Sequence, residues 1–327
     1  MKNIVLEYLK ASNDYVSGED ISRELSVSRT AIWKNINKLR ELGYNIESSS
    51  KKGYKLLGSV DIITKEEIMP LITTKYIGRD IVYFNEIGST NDEIKRLAKN
   101  GAAEGTLVIA NMQTNGRGRL QRVWEDSRGE NISMSLLLRP LIPPFMAPGI
   151  TQVVALSVVN GLKKSCDLDF TIKWPNDIIL NNKKVCGILT EMDGEIDNLN
   201  YIIVGVGINV NQMSIHDEIS HKATSINIEY GKKIDRKIVV SNILNEFEEN
   251  YEVFKSEGIS SFIEELKKNS ALIGKRVTIS NPFKTFNAQV VDIDKEGYLV
   301  VKGEDGSTQS VVGGEVSIRG QNSYLPE

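Results

Sequence analysis

Between residues 170 and 192 the chain reads FTIKWPNDIILNNKKVCGILTEM. Three apolar runs, 170–174, 178–180 and 185–192, are separated by Pro175-Asn176-Asp177 and by Asn181-Asn182. Proline fixes φ and asparagine tolerates the left-handed region, so both interruptions are tight turns and the runs are strands joined as hairpins. Such a segment commits its domain to a hairpin-built sheet. It also places Asp177 at the head of a strand pair and lets the second hairpin return Lys184 to the same end. A carboxylate there could help bind a metal or orient an attacking amine, and a lysine could bind a carboxylate or phosphate. The plainer reading is that Lys173 and Asp177 only dress a turn.

The chain has 327 residues, more than one core usually serves, so two or three domains are expected. Its two cysteines, Cys166 and Cys186, are too few for a disulfide framework or a four-cysteine zinc site, and they read as buried small hydrophobes in a reducing cytoplasm. His216 and His221 lie in a polar segment and read as loop residues rather than metal ligands. Catalysis therefore falls to Lys, Arg, Asp and backbone. The longest apolar patches, such as YIIVGVGI at 201–208, are interrupted by glycine and too short for a bilayer, which predicts an untargeted cytoplasmic protein with no membrane contact.

The net charge of −3 argues against a chain that coats nucleic acid over its whole surface. Through Gly58, however, ten Lys/Arg stand against seven Asp/Glu, a net +3 that leaves −6 for the remainder. That basic segment contains a helical pattern over 1–10, then SGEDISREL with Ser17 and Asp20 spaced as a capping box, then SRTAIWKNINKLRELG. In the last, Ser28 caps, Ile32, Ile36 and Leu39 repeat at helical spacing, and Gly43 stops the helix. Helix, turn and helix predict a helix-turn-helix whose second helix turns Ser28, Arg29, Thr30, Lys34, Asn37 and Lys38 toward phosphates and base edges. The following YNIESSSKKGYKLLG reads as a hairpin wing with Lys51 and Lys52 at its tip. A small helical bundle with a solvated charged face is the bland alternative. Residues 58–64 read as a linker.

From Thr64 onward, helices alternate with apolar strands. IGSTNDEIKRLAKNGA starts a helix through Thr90 with Glu93 as a second capping box, and Ser89, Thr90 and Asn91 put polar groups at its N-terminus. After the strand TLVIANMQ comes NGRGRLQRVW, where Gly116 and Gly118 permit close approaches and Arg117, Arg119 and Arg122 suit carboxylate or phosphate. The loop fits neither the dinucleotide fingerprint, since Gln121 fills the third glycine position, nor a P-loop. A β pair in NISMSLLLRP, a helix over 150–164 and the strand ending VGVGINVN complete an α+β domain. It holds no serine-histidine or cysteine-histidine pair, so its chemistry is nucleotide activation of a substrate by positioning and charge stabilisation. After helices over 239–257 and 260–269, short strands punctuated by turns predict a small SH3-like β-barrel.

In order, GRGRLQRVW, KWPNDIIL, NNKKVCGILTE, VGVGINVN and GGEVSIRG (313–320), behind a winged helix, resemble the bacterial biotin protein ligases that double as biotin operon repressors. The resemblance covers essentially the whole chain. It implies a winged helix-turn-helix over 1–62, an α+β biotin/lipoate-ligase-like catalytic domain over 63–270 and the SH3-like domain over 271–327. It also implies biotin, ATP and Mg2+, a biotinyl-5′-adenylate intermediate and transfer of biotin to one lysine of a biotin carboxyl carrier domain of the acetyl-CoA carboxylase type. Operator DNA of biotin genes would be bound by a liganded homodimer.

By the same resemblance, Ser89, Thr90, Asn91, Gln113, Arg117, Gly118, Arg119, Lys184 and Gly187 contact biotin. Arg117, Arg119, Arg122, Trp124, Lys173, Asn176 and Asn209 lie on the nucleotide side, and Arg119, Asp177 and Lys184 carry the chemistry. No metal ligand is assigned within the chain. The sequence departs from the common GRGRRGR at Leu120 and Gln121, and HKATSINIEYG (221–231) offers no assigned adenine stacker. Two rivals remain at this point: a repressor that senses a small acid without turning it over, and a lipoate ligase or acyltransferase of related architecture.

Overall fold

Isoleucines at helical spacing build the first of two units, Met1–Ile62 and Ile63–Glu327. In this computed structural model, residues 1–58, 61–195, 198–280, 284–312, 317–319 and 325 are described. In the first unit α1 (Lys2–Ala11), α2 (Gly18–Glu24) and α3 (Arg29–Glu41) enclose Val5, Leu6, Leu9, Ile21, Ile32, Ile36 and Leu39. Ser28 Oγ accepts from Ala31 N at 3.1 Å, as a cap should. Ser17 also caps, accepting from Glu19 N at 3.2 Å, but the expected box does not close: the Asp20 carboxylate takes Arg23 at 2.9 Å instead. The wing is the antiparallel hairpin of β1 (Ile46–Ser49) and β2 (Gly53–Leu56). Tyr54 exchanges backbone hydrogen bonds of 2.8 and 2.9 Å with Val16, which ties the wing to the chain ahead of α2. Residues 59–60 of the expected linker lie outside the described residues.

The second unit opens with α4 (Lys65–Ile68) and β3 (Ile81–Phe84), followed by α5 (Thr90–Lys99), β4 (Leu107–Ala110), β5 (Asn131–Leu138) and α6 (Ala147–Ser165). The hairpin segment then supplies β6 (Thr171–Lys173), β7 (Asp177–Leu180) and β8 (Lys183–Gly194), and β9 (Leu199–Asn209) follows. The sheet order is β3-β4-β5-β9-β8-β7-β6; β3 and β4 run parallel and the other neighbours antiparallel. NISMSLLLRP, expected to hold a β pair, is the single strand β5, because Asn131–Leu138 runs unbroken between β4 and β9 with both faces buried.

Beyond β9 come α7 (Ile226–Tyr230), α8 (Arg236–Glu257) and α9 (Ile263–Lys268). α6 and α8 cover one face of the sheet, and α5 covers part of the other through Ile94 and Ala98 against Val108, Leu137 and Ile203. The reading of YIIVGVGI as the longest apolar stretch overlooked Pro144–Ser165, which by length and composition alone is long and apolar enough to cross a membrane. Of its apolar window 72% is buried inside the protein, against the sheet and α8.

The C-terminal strands β10 (Arg276–Ser280), β11 (Thr285–Ile293), β12 (Leu299–Gly303), β13 (Thr308–Val311) and β14 (Ser317–Arg319) form an antiparallel sheet in the order β13-β12-β11-β10-β14. This is the SH3-like module. Its Gly297 carbonyl accepts from Trp174 Nε1 at 3.0 Å and Gln152 Nε2 at 2.9 Å, fastening it beside the turn that precedes β7. Of GGEVSIRG, residues 313–316 and 320 lie outside the described residues.

Candidate active site

The floor of the site is a run of small residues. On β5 and β9, Ser135 faces Gly205 and Ser133 faces Gly207, and on β8 Gly187 lies opposite Gly207. Strand alternation puts these positions on the same face as Leu137 and Ile203, so the floor begins where α5 stops covering the sheet. Side chains here would collide with the wall. A Cβ on Gly205 would stand 2.3 Å from Asn91 Oδ1, and one on Gly207 would stand 2.5 Å from Trp124 Cε2.

The wall is the start of α5. Hydrogen bonds from Ile87 N to Met112 O (3.1 Å) and Thr114 N to Ile87 O (2.9 Å) continue the β3–β4 pairing and set Ser89, Thr90 and Asn91 beside Gln113. The predicted Thr90–Glu93 box is absent because Thr90 is the first helical residue, with Ser89 at the cap. Thr90 N and Oγ1 both donate to Gln113 Oε1, at 2.8 and 3.0 Å, while Glu93 takes Arg96. Asp126 Oδ2 accepts from Gln113 N (2.9 Å) and Ser133 Oγ (2.7 Å), tying wall to floor.

The roof is the arginine-glycine loop, folded back on itself by Gly118 N to Arg122 O (2.7 Å) and Trp124 N to Gly116 O (2.9 Å). Its tip is left-handed at Leu120 (φ 54°) and Gln121 (φ 56°), the two positions where the sequence departs from GRGRRGR. Glycine suits such a φ, whereas a side chain there costs about 1–2 kcal/mol, so Gln121 makes this turn at some expense. Gly118, by contrast, has room: a Cβ there would meet Arg122 O at 3.6 Å, an ordinary contact, so this state does not require the glycine expected to allow close approach. The Arg117 guanidinium pairs with the Asp92 carboxylate, and Arg119 Nη1 donates to Asn176 Oδ1 at 2.8 Å.

Lys184 reaches the site through a one-residue irregularity. Asp177 pairs with Gly187 and Ile178 with Cys186, but Ile179 pairs with Lys184, leaving Val185 as the extra residue of a bulge. Without it Lys184 would face the opposite side of the sheet from Asp177 and Gly187. With it, Lys184 Nζ lies 2.6 Å from Asp177 Oδ1 and 5.7 Å from the centroid of the Trp124 ring.

Ser89, Thr90, Asn91, Gln113, Arg117, Gly118, Arg119, Lys184 and Gly187 therefore line one cleft, together with Trp124 and Asn176. About 50 Å3 of space remains among them, room for water but not for a bicyclic ligand, because Trp124 lies across the floor. Entry of such a ligand requires the loop to lift. Asp177 stands behind Lys184, and Lys173 faces Asp177 across β6 and β7 and is buried. Asn209 donates to Thr224 O at 3.0 Å, and Arg122 is exposed outside the lining. Among the described residues no group of three or more His, Cys, Asp or Glu could hold a metal ion. Burial pushes the Cys166 thiol up to about 11 and the Cys186 thiol higher still, so neither serves as a nucleophile near neutral pH.

In the first unit Thr30, Lys34 and Lys38 are exposed along α3, and Lys51 and Lys52 are exposed at the wing tip. Ser28 is occupied as a cap, Arg29 pairs with Glu19, and Asn37 Oδ1 lies 3.4 Å from Arg40 Nη1. The sequence reading missed Trp33. It is 53% exposed on the same outward stripe as Arg29 and Asn37, four residues from each.

Comparison with known proteins fits this geometry. The bifunctional ligase/repressor BirA of Bacillus subtilis is 40% identical over 308 residues, 93% of this chain and 94% of that protein. The chain belongs to the bifunctional biotin ligase and repressor family. The Escherichia coli BirA is 29% identical over 95% of each chain. Models of the HTH domain, the Biotin/lipoate A/B protein ligase family and the Biotin protein ligase C terminal domain match residues 2–55, 83–209 and 272–319. A biotin protein ligase of Aquifex aeolicus, solved in complex with biotin and ATP, superposes with a TM-score of 0.65 at 30% identity, covering 74% of this chain and 99% of that one. Family membership accounts for a DNA-reading module and a ligase site in one chain.

Proposed function

We propose that this chain activates biotin with ATP as biotinyl-5′-adenylate, transfers biotin to a lysine of a carrier domain of the acetyl-CoA carboxylase type, and represses biotin genes through its N-terminal module. It is organised as residues 1–62, 63–270 and 271–327 and acts in the cytoplasm. The observation that carries this reading is the convergence of Lys184 and Arg119 on a cleft whose far wall is the Thr90–Gln113 amide and hydroxyl pair. One end suits the neutral, polar bicycle of biotin; the other suits two anions.

The loop arginines and Lys184 offset repulsion between the biotin carboxylate and the α-phosphate of ATP. A carboxylate oxygen attacks the α-phosphorus, the bond to pyrophosphate breaks, and a mixed anhydride forms. The carrier lysine then attacks the acyl carbon and AMP leaves. Asp177, held 2.6 Å from Lys184, orients the incoming amine or takes its proton. Magnesium enters as part of the MgATP substrate, held by the phosphates. Labelled biotin should pass to a carrier domain in the presence of MgATP, with lipoate failing to compete; transfer of lipoate instead, or of neither acid, contradicts the proposal.

For repression we propose a liganded homodimer formed along β8. β7 pairs only with residues 183–187 of that strand, so from Leu189 to Gly194 its outer edge carries no strand among the described residues. Met192 on that stretch is 62% exposed. On DNA, the Trp33 indole packs against sugars or thymine methyl groups of the major groove, between the cations of α3. Operator affinity should rise on adding biotin and ATP, and Trp33→Ala should lower it about tenfold without reducing the slope of affinity against salt. Unchanged binding on adding ligand refutes the coupling, and wild-type affinity in Trp33→Ala refutes the contact.

A further inference from the structure

Glu191, on β8, stands outside the cleft but bonds its wall. Its Oε2 accepts from Asn91 Nδ2 at 2.8 Å, and its Oε1 lies 3.4 Å from Lys95 Nζ. A carboxylate only accepts, so Asn91 must turn its NH2 to Glu191 and its Oδ1 inward, where Ser135 Oγ lies at 2.6 Å. A Cβ on Gly205 would stand 2.3 Å from that oxygen, so the glycine makes the room it occupies. At the other end of the wall Thr90 N, which only donates, fixes Gln113 Oε1 toward itself at 2.8 Å.

Between these two fixed acceptors lie the hydroxyls of Ser135 and Thr90, 2.7 Å apart, with Thr90 Oγ1 also 3.0 Å from Gln113 Oε1. Three contacts share two hydroxyl protons. With Asn91 Oδ1 inward, the Ser135 hydroxyl has two acceptors, Asn91 Oδ1 and Thr90 Oγ1, and Thr90 donates to Gln113. Asn91 Oδ1, an amide oxygen with two lone pairs, keeps one for a ligand N–H even when it takes the Ser135 proton. Were Asn91 reversed, its NH2 would donate to Ser135, Ser135 to Thr90 and Thr90 to Gln113. The inward end of Asn91 would then be a donor, and the acceptor at its Oδ1 would be lost.

We infer that Glu191 is a positioning residue that fixes the direction of this hydrogen-bond chain and so provides an acceptor for a cyclic-urea N–H; the inference rests on the cleft's being the biotin site. Biotin Kd and the KM and kcat of biotin transfer, measured on the full chain, test it. Glu191→Gln, whose amide lets Asn91 turn either way, should raise Kd and KM by about 5- to 100-fold, with kcat at saturating biotin changed less than about twofold. Asn91→Asp alone sets two carboxylates against each other and should bind more weakly still. The pair Asn91→Asp with Glu191→Gln restores a donor at 191 and an inward acceptor at 91, and should recover most of the lost affinity. If the wild type binds biotin and the pair is no better than its weaker single, Glu191 does not set the direction and the inference is overturned, whereas failure of the wild type to bind overturns the biotin reading itself. Should Glu191→Gln fail to fold, Asn91→Asp compared with the pair decides between the same two outcomes.

Discussion

Lys184→Met is expected to slow biotinyl-adenylate formation by about 10^3-fold, the loss seen when one preorganised charge partner of a reacting oxyanion is removed. Lys184 is delivered by a strand bulge, held at 2.6 Å by Asp177 and flanked by the Trp124 ring, so it is set in place before substrate arrives. A prearranged cation of this kind avoids reorganisation as charge gathers on the phosphate. Methionine keeps an unbranched apolar stem as far as Cε and removes the ammonium group. The slowing should therefore appear in pyrophosphate release at saturating biotin and ATP, and operator binding by the unliganded chain should stay as in the wild type. A loss smaller than about tenfold would mean that Lys184 only shapes the cleft.

Arg119→Gly should leave adenylate formation measurable but let the intermediate escape about 10- to 150-fold faster, the range corresponding to one charge-assisted hydrogen bond of about 1.5–3 kcal/mol. The tip of the loop is fastened to the turn before β7 by Arg119 Nη1 to Asn176 Oδ1 at 2.8 Å, and Asn176 is itself anchored by Nδ2 to Ile188 O at 2.9 Å. The remaining loop hydrogen bonds, Gly118 to Arg122 and Gly116 to Trp124, keep its local shape in the variant. What is lost is the latch. Trapping labelled adenylate and chasing with excess unlabelled biotin and ATP reads the escape rate directly; an unchanged rate removes Arg119 from that role.

Local chemistry in this chain is written plainly. Asn181 and Asn182 turn with φ of 47° and 63°, as a two-residue hairpin tip requires, and the Ile32, Ile36, Leu39 stripe is buried. The loop, Lys184 and the Ser89–Asn91 segment could be marked as candidates because cations, glycines and a helix start have local signatures. Features set by pairing between distant strands could not be read in this way. The Val185 bulge depends on register, and the Ser133, Ser135, Gly205, Gly207 floor exists only because β5 and β9 lie side by side. Thr90 looked like a cap because its spacing to Glu93 fits one, yet its partner is Gln113, 23 residues away. Glu191 and Asn91 are separated by 100 residues and only the folded sheet joins them.

The most direct measurement is mass spectrometry of the full chain incubated with biotin, ATP and magnesium but no carrier. Biotinyl-5′-adenylate should accumulate bound to the protein and vanish when a carrier domain is added. Biotin and ATP recovered unchanged, or an adenylate found only free in solution, would contradict a cleft that both joins the two anions and shelters their product.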